Sequence, residues 1–349
     1  MSSEGFRVVG ASNTLPSLRE IDQIIVDNIA VMLKQESAQY SPCFDYLSVH
    51  RDLQPSSEHV NENWRRKICE WAFEVTDHFG FDREVVSIAL NYLDRVVAHT
   101  TETTNARVPR KEFQLVAVTS LYLAIKLHGE TDAVEGAPRK LRINAFVELS
   151  RGMFTIETLE TTERAILSNL EWNVNPPTTV CFVASLLRLL PASWDSQPLH
   201  ASVASSIFEM ARYLTELSVC VSTFSFKFKS SEISYSAILC AIDALRDSVP
   251  LPYGARIAFL NSVAESTSLT PGADEIRKCC GMIMELCPSL FIEPDTPAAG
   301  GLSRSSSVSS APGNQISASE EARISPVCVE QVFKEEFTQR KRIRSNSRA

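Results

Sequence analysis

The chain has 349 residues, 44% hydrophobic and 22% charged, which excludes wholesale disorder and suits two folded units better than one. Its 34 Lys and Arg against 42 Asp and Glu leave a net charge of −8, which disfavours a globally basic nucleic-acid binder. Twelve glycines, nowhere arranged as G-x-G-x-x-G or G-x-x-x-x-G-K-[ST], exclude the usual phosphate-binding loops.

Apolar residues recur at three- and four-residue steps over most of the chain and strict alternation is hard to find, so the fold class is all-α, with at least ten helices. Met1 to Asn13 lack the charged-then-apolar order of a signal peptide, and no apolar run reaches about 18 residues, so the expected compartments are nucleus and cytoplasm, with no membrane partner. Leu18, Ile21, Ile25, Ile29 and Met32 predict a short N-terminal helix. His50-Arg51-Asp52-Leu53 spells the start of a kinase catalytic loop, but Ser57 stands where Asn is due and no D-F-G follows. Phosphoryl transfer also needs a Gly-rich loop and a strand Lys upstream, and only 49 residues precede the motif. The chain is therefore not expected to be an enzyme.

Ile68, Trp71, Ala72, Val75 and Phe79 predict a second helix that Gly80 ends. Asp82 is placed to cap a third through Val96, and Pro109 opens a fourth from Lys111 to Leu127. Thr155 caps a helix through Leu170, after which Pro176-Pro177 stops regular structure. A second helical set follows at about 179–190, 199–220, 231–247, 253–264 and 271–287, the last with Thr270 as N-cap and Pro271 at its first position. From Glu293 the composition turns Ser- and Pro-rich and predicts a disordered tail, basic at its end. The expected domains are 1–40 with the short helix, 41–177, 178–292 and the tail 293–349.

Nine cysteines without C-x-x-C and six scattered histidines suit reduced thiols and imply neither metal nor cofactor. Four charged residues interrupt apolar helical runs: Arg65, Asp94, Lys126 and Glu163. A charge buried alone costs several kcal/mol, so pairing or solvation must resolve each of them.

Trp64-Arg65-Arg66-Lys67-Ile68-Cys69-Glu70-Trp71, Leu90-Asn91-Tyr92-Leu93-Asp94-Arg95, Phe113-Gln114-Leu115-Val116 through Ala124-Ile125-Lys126-Leu127, and Glu163 before Trp172-Asn173-Val174 resemble the box of the cyclins over about 28–177. Residues 213–218 and 231–237 resemble the weaker C-terminal cyclin fold. The resemblance implies two tandem five-helix cyclin-box domains and a regulatory subunit that activates a cyclin-dependent Ser/Thr kinase, most readily in cell-cycle control. Arg65 and Asp94 then correspond to an internal salt bridge and Leu115 to a core position. Lys126 and Glu163 correspond to hydrogen-bonding contacts on the kinase, with Leu127 lining the pocket.

The family's patch for R-x-L substrates maps to Trp64, Ile68, Trp71, Glu74, Phe113 and Gln114, but Lys67 stands at one of its apolar positions and would repel a basic motif. There is no R-x-x-L in residues 1–40 and no L-x-C-x-E, so mitotic timing and pocket-protein binding have no motif here. Thr296-Pro297 and Ser325-Pro326 are expected phosphosites through which a ubiquitin ligase adaptor would act. Arg340-Lys341-Arg342 is an expected nuclear-import cluster for an import receptor. The alternative, a cyclin-fold transcription factor acting on DNA or the polymerase machinery, would need basic residues on the folded body, whereas the basic excess lies in the tail; no direct nucleic-acid contact is expected.

Overall fold

The computed structural model describes residues 18–48, 60–129 and 141–291. His50-Arg51-Asp52-Leu53 and the tail positions Thr296, Ser325, Arg340, Lys341 and Arg342 lie outside the described residues. The first helix, α1 (Leu18–Gln39), runs for 22 residues, longer than the short helix read from its apolar steps. Five helices follow: α2 (Glu62–Phe79), α3 (Glu84–Thr104), α4 (Arg110–His128), α5 (Ile143–Leu149) and α6 (Ile156–Asn169). A second set comprises α7 (Thr179–Leu187), α8 (Ala201–Val219), α9 (Ser222–Lys227), α10 (Ser230–Ala244), α11 (Tyr253–Thr267) and α12 (Asp274–Leu286). A small hairpin, β1 (Ser193–Trp194) with β2 (Gln197–Pro198), interrupts the helices.

Local chemistry explains most boundaries. Asn61 Oδ1 accepts the Trp64 N–H at 3.1 Å, and Gly80, at φ 69°, closes α2 in the left-handed conformation. Asp82 Oδ1 accepts the Glu84 N–H at 2.8 Å, Pro109 precedes α4, and Thr155 Oγ1 accepts the Thr158 N–H at 3.2 Å. The Thr270 expectation needs correction. Its carbonyl takes the Ala273 N–H at 3.1 Å, so Thr270-Pro271 forms a turn and α12 begins only at Asp274. Proline at the second place of a turn satisfies its fixed φ as well as a helix start does. The short α5 and α9 were not anticipated, since neither reaches two full turns of apolar periodicity. The hairpin turns on Asp195 and Ser196, both at positive φ. Its Trp194 ring lies against Gly254, where a Cβ would come within 1.8 Å of the ring.

Each unit is built around a helix that is apolar on nearly every side. In the first, α4 buries Phe113, Val118, Leu121 and Ala124 against α2, α3, α5 and α6. In the second, α10 buries Tyr235, Ala237, Ile238 and Ala241 against α7, α8 and α12. Helix α1 joins the second core, burying Ile25 and Ile29 and packing on α7 and α11. Near its end the buried Glu36 accepts the Ser231 N–H at 2.8 Å and the Ser231 hydroxyl at 2.6 Å, satisfying a free donor in the first turn of α10.

Burial raises the Glu36 pKa above the ordinary carboxylate value, and the Ser231 hydrogen bonds offset only part of the rise. The folded state therefore holds this proton where the unfolded chain has lost it, and stability falls as pH rises through the interval between the two values. Glu36→Gln removes that fall. In urea unfolding compared at about pH 4 and about pH 7, the variant is expected to gain on the wild type toward neutral pH, and a difference independent of pH would refute this account.

Candidate functional site

The four interrupting charges resolve into two ion pairs of opposite character. Arg65 on α2 donates to Asp94 on α3 through Nε at 2.9 Å and Nη2 at 2.6 Å, and the two side chains are 0% and 2% exposed. The remaining guanidinium donors reach the Val219 carbonyl at 2.9 Å and Ser225 Oγ at 3.0 Å, both in the second unit. Tyr46 donates its hydroxyl to Asp94 Oδ1 at 2.8 Å. Burial alone would lower the Arg65 pKa, but the Asp94 charge and its hydrogen bonds more than reverse this. Burial pushes the Tyr46 hydroxyl up. This cluster orients α2, α3 and the α8–α9 corner together and offers nothing to solvent.

The second pair lies at the surface. Lys126, in the last turn of α4, donates to Glu163 on α6 at 2.8 Å, with exposures of 50% and 11%. That hydrogen bond raises the Lys126 pKa. The ammonium also stands 5.6 Å from the Tyr122 ring centroid, and Tyr122 packs edge-on to the buried Phe146 of α5. The short helix missed in the sequence thus supports the lysine from below.

Leu127, next along, is 47% exposed. It lines a groove of about 730 Å3 between the units together with Phe81, Ile88, His128, Pro176 and Cys181. Gly129 ends α4 with its N–H on the Ile125 carbonyl at 2.9 Å, and a Cβ there would lie 2.5 Å from that oxygen. Lys126, Leu127 and Glu163 therefore come together, as one charged and apolar ledge on the first unit.

Leu115 is only partly buried at the edge of the first core, because the buried side of α4 at this level is formed by Phe113, Gln114, Val116 and Ala117. Of the six patch positions, Trp64, Ile68, Trp71, Phe113 and Gln114 are buried and Glu74 alone is exposed. The Arg110 guanidinium sits 4.5 Å over the Trp64 ring, so the patch does not form an open apolar surface. Trp71 Nε1 and Gln114 Oε1 are nevertheless buried without hydrogen-bond partners among the described residues. Sequence reasoning missed Tyr46, Ser225 and Glu36, whose partners lie 48, 160 and 195 positions away and leave no local signal. Among the described residues, no group of three or more His, Cys, Asp or Glu is arranged to hold a metal ion.

Residues 27–175 match the family model of the cyclin N-terminal domain. The chain is 30% identical over 224 residues to the G2/mitotic-specific cyclin S13-6 of Glycine max, an alignment covering 64% of this chain and 44% of that protein. It is 25% identical over 279 residues to Cyclin-D3-2 of Arabidopsis thaliana, covering 78% and 66%. The chain therefore spans less than two thirds of the length of these relatives. Its fold is similar to the X-ray structure of a viral cyclin from herpesvirus saimiri, with a TM-score of 0.51 and 14% identity over 76% of this chain and 98% of that one.

Proposed function

The chain belongs to the cyclin family, and from that premise we propose that it is a non-catalytic subunit that binds and activates a cyclin-dependent Ser/Thr kinase in cell-cycle control. The observation that carries the reading is the ledge of Lys126, Glu163 and Leu127: a lysine held by a carboxylate, beside an exposed leucine, on a rigid helix pair. A held lysine keeps two N–H donors for a partner, and the carboxylate keeps an acceptor oxygen. Such a ledge suits exposed backbone groups of a partner helix or loop.

A kinase is active when the Glu of its αC helix pairs with the strand Lys. A surface that binds αC only in that position shifts the equilibrium by its differential affinity, and about 5.5 kcal/mol suffices to invert a 1:99 population. No bond-making by this chain is required. The test is reconstitution: the purified chain is expected to co-elute with a cyclin-dependent kinase and to raise its phosphotransfer rate. A kinase panel whose rates are all unchanged would defeat the reading.

Nuclear accumulation through Arg340-Lys341-Arg342 is part of the same proposal, supported by that basic run in an otherwise acidic chain. A fluorescent fusion ending before Gln339 is expected to lose its nuclear excess. Unchanged nuclear signal would remove the cluster from the account.

A further inference from the structure

Three contacts along one stripe of α2 join the two units. Glu62 accepts the Ser222 N–H at 3.0 Å and also the Ser222 hydroxyl. Arg65 donates to the Val219 carbonyl at 2.9 Å. One turn further, Cys69 Sγ stands 3.3 Å from Cys220 Sγ. Steps of three and four residues, 62 to 65 to 69, keep all three side chains on one face of the helix. The first two contacts are polar braces; the third places two free thiols from different units in contact. Cys69 is fully buried in the first core, whereas Cys220, at the C-terminal cap of α8, is half-buried.

We propose that Cys69 and Cys220 are a redox-responsive pair that closes a disulfide across the junction of the two units when the protein meets a hydroperoxide. The more accessible Cys220 reacts first: its thiolate attacks the peroxide O–O bond and takes one oxygen, becoming a sulfenic acid, while the other oxygen leaves and is protonated to water or an alcohol. Cys69 then attacks the Cys220 sulfur, forming the S–S bond, and its proton leaves with the displaced oxygen as water. Two thiols are oxidised, one hydroperoxide is reduced, and no other reactant enters.

The surroundings support this division of roles. The hydrogen bond between the two sulfurs holds the Cys220 thiol below its ordinary pKa, with Arg65 and Arg66 acting in the same direction against burial and Glu70. The same contact, together with burial, pushes the Cys69 thiol up, as befits a sulfur that stays protonated until it resolves the intermediate. Closure asks for a shift on the order of 1 Å from sulfur contact to a bond. It makes covalent a junction that Glu62 and Arg65 already hold, so the oxidised protein resists opening of the two units.

The full chain, reduced and then treated with hydrogen peroxide, can be quenched with an alkylating agent in denaturant, so that buried thiols are also labelled, digested without reductant and mapped by mass spectrometry. The expected product joins the Cys69 and Cys220 peptides at two hydrogens below their sum, melts higher than the reduced protein, and reverts with dithiothreitol. In Cys220→Ala, chosen because the site is half-buried at a helix end, the joined species is expected to vanish and Cys69 to stay alkylatable. The wild-type map decides alone if that variant fails to fold. Unchanged alkylation of both cysteines overturns the proposal, as does a Cys220 that ends as sulfinic acid or bonds to any cysteine other than Cys69.

Discussion

Arg65→Ala is expected to destabilise the fold by about 3–5 kcal/mol, the cost of leaving a buried charge without its partner. The substitution strands Asp94, which is 2% exposed, and also frees the Val219 carbonyl and Ser225 hydroxyl of the second unit. In thermal unfolding the loss should appear as a fall in melting temperature on the order of 10 °C for a body of this size. Arg65→Lys should recover only part of it, because an ammonium cannot make the paired contact to both Asp94 oxygens and reach two further acceptors. Replacing both partners by apolar residues, Arg65→Met with Asp94→Leu, should be milder than Arg65→Ala alone, since no uncompensated charge remains. A soluble Arg65→Ala protein melting at the wild-type temperature would refute the claim that the pair holds the units together.

Lys126→Ala combined with Glu163→Ala is expected to do the reverse: weaken association with a cyclin-dependent kinase on the order of 100-fold while leaving the fold nearly intact. The lysine is 50% exposed, so solvent screens the pair and its own contribution to stability is below about 1 kcal/mol. What disappears is a pre-positioned set of donors and acceptors that a partner would otherwise find already ordered. Titration of the variant against the kinase, beside a melting curve, checks both halves of the expectation. Wild-type affinity would place the kinase surface elsewhere; a collapsed melting curve would make the pair structural.

The two predictions differ although both concern an Arg or Lys paired with an Asp or Glu between neighbouring helices. From the sequence the four residues look alike: each is a charge set in an apolar run. Depth separates them, and depth is set by what the second unit covers. Arg65 is sealed by the α8–α9 corner, through contacts 154 and 160 positions away, whereas Lys126 sits where α4 runs out and, among the described residues, is left half-exposed. The docking patch illustrates the same limit: its residue types match an apolar surface, yet Arg110 lies on Trp64 and five of the six positions are buried.

The amino-acid order by itself determined the all-α class, the end of α2 at Gly80, the starts of the helices at Pro109 and Thr155, the break at Pro176-Pro177, and which four charged residues needed explaining. Those features rest on interactions within a few residues: apolar spacing, a cap reaching the next turn, a ring that cannot donate a hydrogen bond. Tertiary structure alone decided that α1 belongs to the second core, that Glu36 caps α10, that Tyr46 completes the Arg65–Asp94 cluster, and that Cys69 faces Cys220. Each joins residues 48 to 195 positions apart, and such partners are chosen by how apolar faces pack to exclude water, a condition on the whole folded body that no local spacing encodes.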